Sequence, residues 1–282
     1  MHYQFALIGY PINHSLSPWI HKQFLQKTGL SGDYVIKELD PDESFTNSMK
    51  ELKDSQIDGF NITVPYKQKI ITYLDELDVE AERIGAVNTV VNREGKWVGY
   101  NTDGKGYTRS LKEHYPAIFS DKQKKIVIVG AGGAARGIYD ALVTEGFLFI
   151  DIANRTVKSA ESIADLQQNN TNTTILSLDD LQQRLNMYDV IIQTTSVGMK
   201  PNQDQTIITM KSPMDSTSLV SDIIYQPIET KFLQQANNAG AMIHYGHTML
   251  LYQAQYAFEI WTNKHVPIGD MESQLQQILE GR

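Results

Sequence analysis

The sequence predicts an α/β protein of two domains with parallel sheets. Three observations carry this. Short apolar, β-rich runs alternate with runs of helical period almost throughout the chain. The pattern restarts after the polar stretch SDKQKK with a new strand and a glycine-rich turn. The 282 residues, 41% hydrophobic and 21% charged, hold enough apolar material for two cores.

In the first part, strands are expected at Phe5 to Ile8, Tyr34 to Leu39 and Gly59 to Val64. Helices are expected at Trp19 to Thr28, Glu43 to Lys53 and Tyr66 to Leu77. A hairpin follows, Ala86 to Asn92 and Trp97 to Tyr100 around Gly95, then a helix near Lys105 to His114. In the second part, Lys125 to Val129 is a strand and Gly133 to Glu145 a helix. Further strands are expected near Phe147 to Ala153, Thr174 to Leu178, Asp189 to Gln193, Leu219 to Ile223 and Met242 to Tyr245. A helix near Glu229 to Asn238 precedes the last of these. Residues 200–218, polar and carrying Pro201 and Pro213, read mainly as loop. Thr248 to Trp261 and beyond is helical.

Composition removes several classes of function. The formal net charge is −8, a poor match to a nucleic-acid partner. The chain has no cysteine, so disulfides, thiolate catalysis and cysteine-based zinc sites are excluded. No run approaches a membrane span and the N-terminus lacks the pattern of a signal peptide, so no membrane partner and a cytoplasmic location are expected. The seven histidines show no metal-binding pairing, and no metal is called for.

Four clusters carry chemistry. GAGGAA at 130–135 follows the strand KIVIV and opens a helix, fitting the dinucleotide fingerprint through Gly130, Gly132 and Ala135. Asn154, Arg155 and Thr156 lie just past the next strand, with Lys158 nearby, where an NAD-specific site usually carries an acid. Asp151, within that strand, is poorly placed to replace it. Arginine suits a 2′-phosphate, so NADP is preferred to NAD. In HSLSP at 14–18, Ser17 reads as a helix N-cap before Pro18, with Ser15 on the same side. The pair could hold a carboxylate or simply cap the helix. In NITVPYK at 61–67, Asn61 and Thr63 share one side of a strand end, and Lys67 is expected in the first helical turn, against the helix dipole. Asp103, in GYNTDG, ends a strand in a turn where aspartate is also common for local bonding. Ser15, Asn61, Lys67 and Asp103 all follow strands, as ligand residues of open α/β sheets do.

Taken in order, GYPINHSLSP, DGFNITVPYK, GAVNTV, GYNTDG, GAGGAARG, NRT, TTSVGM, DIIYQPIETKFLQQA and Gly246, Met249, Leu250 and Gln253 resemble the shikimate dehydrogenase family across about residues 1–263. The resemblance implies an N-terminal α/β substrate domain (1–104 plus 247–282) and a Rossmann-like NADP-binding domain (105–246), with C-terminal helices returning to the first. It implies NADPH-dependent reversible reduction of 3-dehydroshikimate to shikimate, a step of aromatic amino-acid and chorismate biosynthesis, by a monomer or homodimer. It implies Lys67 and Asp103 as the catalytic pair. Ser15 and Ser17 would hold the substrate carboxylate. Asn61, Thr63, Asn88, Tyr225 and Gln253 would bind the ring or support residues that do. Gly130, Ala131, Gly132, Gly133 and Ala134 would form the phosphate loop, with Asn154, Arg155 and Thr156 at the adenosine phosphate. Thr195, Val197, Met199, Tyr225 and Gly246 would lie near the nicotinamide.

Two segments depart from the family pattern, Gly246-His247-Thr248 and Trp261-Thr262-Asn263. The first bears on packing near the nicotinamide; in the second, asparagine suits a left-handed helix end. Quinate is an alternative substrate on the same scaffold. A non-catalytic nicotinamide sensor would be expected to lack Lys67 or Asp103, and the HSLSP segment argues against a folate-type dehydrogenase.

Overall fold

The computed structural model describes residues 2–168, 170–210 and 213–281. It divides into two compact units, Met1–Asp103 with Gln253–Ile268, and Gly104–Tyr252 with Gly269–Arg282. Among the described residues no helix is long and apolar enough to cross a membrane.

The first unit runs β1 (His2–Gly9), α1 (Ser17–Thr28), β2 (Ser31–Glu38), α2 (Phe45–Asp54), β3 (Gly59–Ile62), a 3-10 helix (Lys69–Tyr73), β4 (Glu76–Leu77), α3 (Val79–Ile84), β5 (Thr89–Arg93) and β6 (Lys96–Tyr100). The sheet order is β2-β1-β3-β5-β6-β4. β1 pairs in parallel with β2 and β3, whereas β5 runs antiparallel to both β3 and β6. From Phe5 onward β1 is buried on both faces, which explains its unbroken apolar run. The β5–β6 turn places Glu94 and Gly95 at φ 53° and 86°, as a tight hairpin requires. One face of the sheet buries Phe45, Met49, Phe60, Ile62 and Trp97 together. Trp261 stacks on Phe5 at 4.5 Å and donates to the Val90 carbonyl at 2.8 Å.

The expected helix at Tyr66 to Leu77 is not formed. A turn, the short 3-10 helix and β4 take its place. Strand pairing wins there: Asp75 N–H donates to the Trp97 carbonyl and Asp78 N–H to the Gly99 carbonyl, both at 2.9 Å. The Asp75 carboxylate in turn accepts from Trp97 N–H and the Lys53 ammonium. α3 was not expected, although Asp78 caps it and Gly85 ends it at φ 67°.

The second unit runs α4 (Asp103–His114), α5 (Pro116–Ser120), β7 (Lys125–Val129), α6 (Gly133–Thr144), β8 (Phe149–Ala153), α7 (Val157–Ala164), β9 (Ile175–Leu176), α8 (Leu178–Arg184), β10 (Val190–Gln193), β11 (Leu219–Asp222), α9 (Lys231–Asn238), β12 (Met242–His244), α10 (Gly246–Thr262) and α11 (Met271–Glu280). Its sheet has order β12-β11-β10-β7-β8-β9, with every neighbour pair parallel. Strand order reverses between β7 and β10, the position at which doubly wound sheets bind ligands. Along β7, Ile126 and Ile128 join one core layer while Val127 and Val129 join the other. This is the two-residue period of a strand covered on both faces.

The units divide at points other than the expected boundaries. The last helix groups with the second unit, not the first, and α10 is split at Tyr252 and Gln253. The reason is local. α11 buries Met271, Leu275 and Leu279, and its Glu272 accepts from His114 of α4 at 2.6 Å.

Candidate active site and nucleotide loops

In the first unit, topology gathers the polar segments at one edge of the sheet. β1 and β3 are parallel neighbours, and β5 is antiparallel to both β3 and β6. The residues after β1, after β3, before β5 and after β6 therefore emerge on the same side. Tyr10 N–H donates to the Val64 carbonyl at 2.9 Å, which ties the first two of these segments. A β-carbon on Gly9 would meet the Thr63 side chain at 2.4 Å, so glycine allows that close approach.

Lys67 sits in a turn two residues before the 3-10 helix. The expected conflict with a helix dipole therefore does not arise. Its ammonium donates to Asp103 Oδ2 at 2.5 Å, with side chains only 13% and 6% exposed. Asp103 is the first residue of α4, where a carboxylate suits the helix N-terminus. Its side chain is not spent on a local turn. Asn101 does that work, accepting from Asp103 N–H at 3.1 Å and donating to the Ala86 carbonyl at 2.9 Å.

Asn88 is the hub of the cluster. Its amide donates to Asp103 Oδ1 at 3.0 Å, Thr102 Oγ1 at 2.9 Å and Gln253 Oε1 at 3.3 Å. Its carbonyl accepts from Thr102 N–H at 2.8 Å and Thr89 Oγ1 at 3.0 Å. Asn61 donates to the Asn88 backbone carbonyl at 3.2 Å and accepts from the Tyr34 hydroxyl at 2.9 Å. Lys67, Asp103, Asn88, Gln253 and Asn61 thus belong to one hydrogen-bonded set, while among the described residues no bond places Ser15, Ser17 or Thr63 within it. Tyr34, Thr89, Asn101 and Thr102 also belong to the set; the last three lie within GAVNTV and GYNTDG without being singled out there, and Tyr34 reads only as a strand residue.

Ser15 and Ser17 do lie together, their hydroxyls bonded at 3.2 Å. Ser17 is not the N-cap. The helix begins at Ser17, Leu16 holds the cap position, and Ser15 Oγ accepts from Ser17 N–H at 3.2 Å. Plain capping by Ser17 therefore does not account for the motif.

In the second unit, Gly130 follows β7 at φ 121°, which favours glycine, and a β-carbon there would lie 2.5 Å from Thr194 Oγ1. Gly132 differs. Its φ of −87° suits any residue, and among the described residues nothing would lie within 4 Å of a β-carbon there. The fold makes no demand for glycine at this position. Open space in front of the first turn of α6 is the cradle that a pyrophosphate needs, and Ala131, Gly133 and Ala134 are partly open beside it. These residues fit a dinucleotide.

Asn154, Arg155 and Thr156 follow β8, the neighbour of β7, and Arg155, Thr156 and Lys158 are exposed. Asn154 donates to the Thr156 carbonyl at 2.9 Å, shaping the turn. Asp151 is engaged elsewhere, accepting from Thr174 N–H at 2.8 Å and the Tyr188 hydroxyl at 2.7 Å. Thr195, Val197 and Met199 follow β10, and Tyr225 follows β11. Gly246 opens α10, where a β-carbon would lie 2.5 Å from the Ile223 and Ile224 carbonyl oxygens.

Thr248 and Asn263 fit their surroundings, whereas both ring nitrogens of His247 are buried without a hydrogen-bond partner among the described residues. Thr248 donates to the Tyr245 carbonyl at 2.9 Å and accepts from Ser110, beside the buried ring of His244. Burial lowers His247 to about 4, so the ring is neutral near pH 7. Asn263 adopts φ 52°, the left-handed conformation expected of it.

An α/β unit with a buried lysine–aspartate pair, and a parallel doubly wound unit with a glycine-rich loop after β7 and an exposed arginine after β8, have the features of an NADP-dependent oxidoreductase. Comparison with known proteins specifies it further. Residues 7–90 match the family described as shikimate dehydrogenase substrate binding domain, 114–238 match shikimate / quinate 5-dehydrogenase, and 246–276 match the shikimate 5'-dehydrogenase C-terminal domain. The chain is 52% identical over 276 residues to a shikimate dehydrogenase (NADP(+)) of Oceanobacillus iheyensis, covering 98% of each. It is similar to a crystal structure of shikimate dehydrogenase in complex with NADP+, with a TM-score of 0.86, 37% identity and coverage of 99% of this chain and 96% of that one. It is also similar to the Thermus thermophilus enzyme in complex with NADP(H) and shikimate, with a TM-score of 0.84, 29% identity and coverage of 98% and 99%. The chain belongs to the shikimate dehydrogenase family.

Proposed function

We propose that the chain catalyses the reversible NADPH-dependent reduction of 3-dehydroshikimate to shikimate, a step of chorismate and aromatic amino-acid biosynthesis. The observation that carries this reading is the Lys67–Asp103 pair, 2.5 Å apart, largely buried and oriented by Asn88 at the sheet edge. Bound NADPH supplies the hydride. The Lys67 ammonium donates the proton that the nascent alkoxide of shikimate takes up, and in reverse the amine accepts that proton. Asp103 holds the ammonium in place through Oδ2 while Asn88 fixes Oδ1, so the donor meets the substrate without first reorganising.

Asn61 and Gln253 belong to the same set and serve the ring hydroxyls, with Thr63 beside them at the sheet edge. Ser15 and Ser17 present paired hydroxyls for the carboxylate. Gly130, Ala131, Gly132, Gly133 and Ala134 would hold the pyrophosphate of NADP, Asn154, Arg155, Thr156 and Lys158 its 2′-phosphate, and Thr195, Val197, Met199, Tyr225 and Gly246 its nicotinamide end. The engagement of Asp151 supports NADP over NAD, because that carboxylate is committed elsewhere. The proposal includes a cytoplasmic location and a monomeric or homodimeric state.

The test follows NADPH absorbance after adding 3-dehydroshikimate. Lys67→Ala is expected to lower kcat by about 10²–10⁴-fold while NADPH still binds. Near-normal turnover in that variant would remove Lys67 from the mechanism.

A further inference from the structure

The last residue of β10, Gln193, is fully buried and reaches both sides of the loop that follows. Its carbonyl accepts from Thr195 N–H, and its amide donates to the Val197 carbonyl at 3.1 Å. These bonds need the amide one way round; turned over, it would set donor against donor and acceptor against acceptor. Asp222, the last residue of β11 and 1% exposed, lies on the donor side. Its Oδ1 accepts from Gln193 Nε2 at 3.4 Å, a third bond that favours the same orientation and anchors the amide to β11.

The same carboxylate makes two further ties. Oδ1 accepts from Ile224 N–H at 2.9 Å, fixing the turn that leads to Tyr225. Oδ2 accepts from the Thr230 hydroxyl at 2.7 Å, and Thr230 caps α9. Burial raises this carboxyl to about 7 against the pull of those three donors. A buried acid is a costly way to build a turn.

We propose that Asp222 is a positioning residue for the cofactor: through Gln193 it sets the Thr195–Met199 loop, and through Ile224 it sets Tyr225, in the conformation that receives the nicotinamide end of NADPH. This rests on the assignment of that loop and Tyr225 to the nicotinamide. The adenosine end is assigned to other loops, so the two ends of the cofactor separate the effects.

The experiment compares binding of NADPH with binding of adenosine 2′,5′-bisphosphate, which lacks the nicotinamide, together with KM for shikimate. Asp222→Ala is expected to weaken NADPH about 10-fold or more, the scale of a misplaced contact. The bisphosphate and the KM for shikimate are expected to stay within about twofold. Asp222→Asn should recover most of the affinity, because one amide oxygen accepts from Gln193 and Ile224 while its nitrogen donates to Thr230. Gln193→Ala should reproduce the Asp222→Ala effect, and the double variant should be no worse than either, as expected of two residues in one path. If Asp222→Ala does not fold, Gln193→Ala carries the same comparison alone. Equal losses for NADPH and the bisphosphate, or no loss for either, overturn the proposal. Gly132→Ala separates the two levels of the argument. If it weakens both ligands while Asp222→Ala and Gln193→Ala weaken neither, the positioning role fails and the dinucleotide site stands. If it weakens neither, the cofactor assignment itself fails.

Discussion

Substitution of Asn88 separates two physical effects at the Lys67–Asp103 pair. Asn88 is 3% exposed and satisfies groups on both sides. Asn88→Ala leaves Thr102 N–H without its acceptor at 2.8 Å and Asp103 Oδ1 without its donor at 3.0 Å. Each orphaned buried group costs about 1–3 kcal/mol, so a loss of about 2–6 kcal/mol is expected. Asn88→Asp changes almost no volume and keeps the acceptor facing Thr102. It replaces the donor facing Asp103 with a second carboxylate oxygen. Two like charges at that separation repel by about 5 kcal/mol at an effective dielectric of about 20, a value that the Lys67 ammonium offsets in part. The aspartate variant is therefore expected to be at least as destabilised as the alanine variant near neutral pH, although it is the nearer isostere. Urea unfolding midpoints at constant m-value measure this. Both variants should also lose about 10²-fold in kcat/KM, because Asp103 no longer holds its orientation. An aspartate variant as stable as the parent protein, or clearly more stable than Asn88→Ala, would refute the assignment of Asn88 as the donor to Asp103.

Gly104→Ala would place a β-carbon 2.1 Å from the Gly137 carbonyl oxygen and 2.8 Å from the Ala141 side chain. Alanine favours a helix by up to about 1 kcal/mol, but the collision with backbone costs about 1–3 kcal/mol or more, so thermal unfolding should shift downward; a rise in Tm would contradict the close approach. The His114–Glu272 pair predicts a stability window in pH. The Glu272 bond raises the His114 pKa, so that contribution is full below about 6.5 and fades as pH rises through the raised value. The His114 bond lowers the Glu272 pKa, so that contribution is full above about 4.5 and fades as pH falls through the lowered value. Parent protein and His114→Gln should therefore differ most in Tm between about pH 4.5 and 6.5 and converge on either side, and a constant difference across pH would contradict the pairing.

The parts of the site legible in sequence are those that chemistry confines to a short motif. Gly130 to Ala135, Asn154 to Thr156 and the residues around Lys67 each sit within one strand-to-helix connection. The lysine–aspartate pairing was implied by the family resemblance; position alone shows only that both residues follow strands, and the strand order that brings those ends to one side is visible only in the structure. Asn101, Tyr34, Gln193 and Asp222 were not legible as site residues. Each joins a local bond to one or more partners distant in sequence, or in the case of Tyr34 only a distant one, and a motif that contains Asn101 or Asp222 does not reveal the distant partner. The short helices α3, α7 and α8 were missed for a different reason. They are too short for a helical period, so only caps such as Asp78 and Ser177 announce them. The expected helix at Tyr66 to Leu77 failed because β4 finds a partner in β6, and periodicity within one segment carries no information about such a partner.

The engagement of Asp151 sets the terms on which cofactor preference could be re-engineered. On the proposed assignment of Arg155 to the 2′-phosphate, removing its guanidinium would discourage the phosphorylated dinucleotide without creating a home for its unphosphorylated counterpart, since the nearby strand acid already serves Thr174 and Tyr188. Redirecting that acid would strip a phenol of its acceptor and loosen the link to the segment before β10. A designer would do better to install a fresh carboxylate at position 154, one step beyond the strand, and leave the existing one to its scaffold duty.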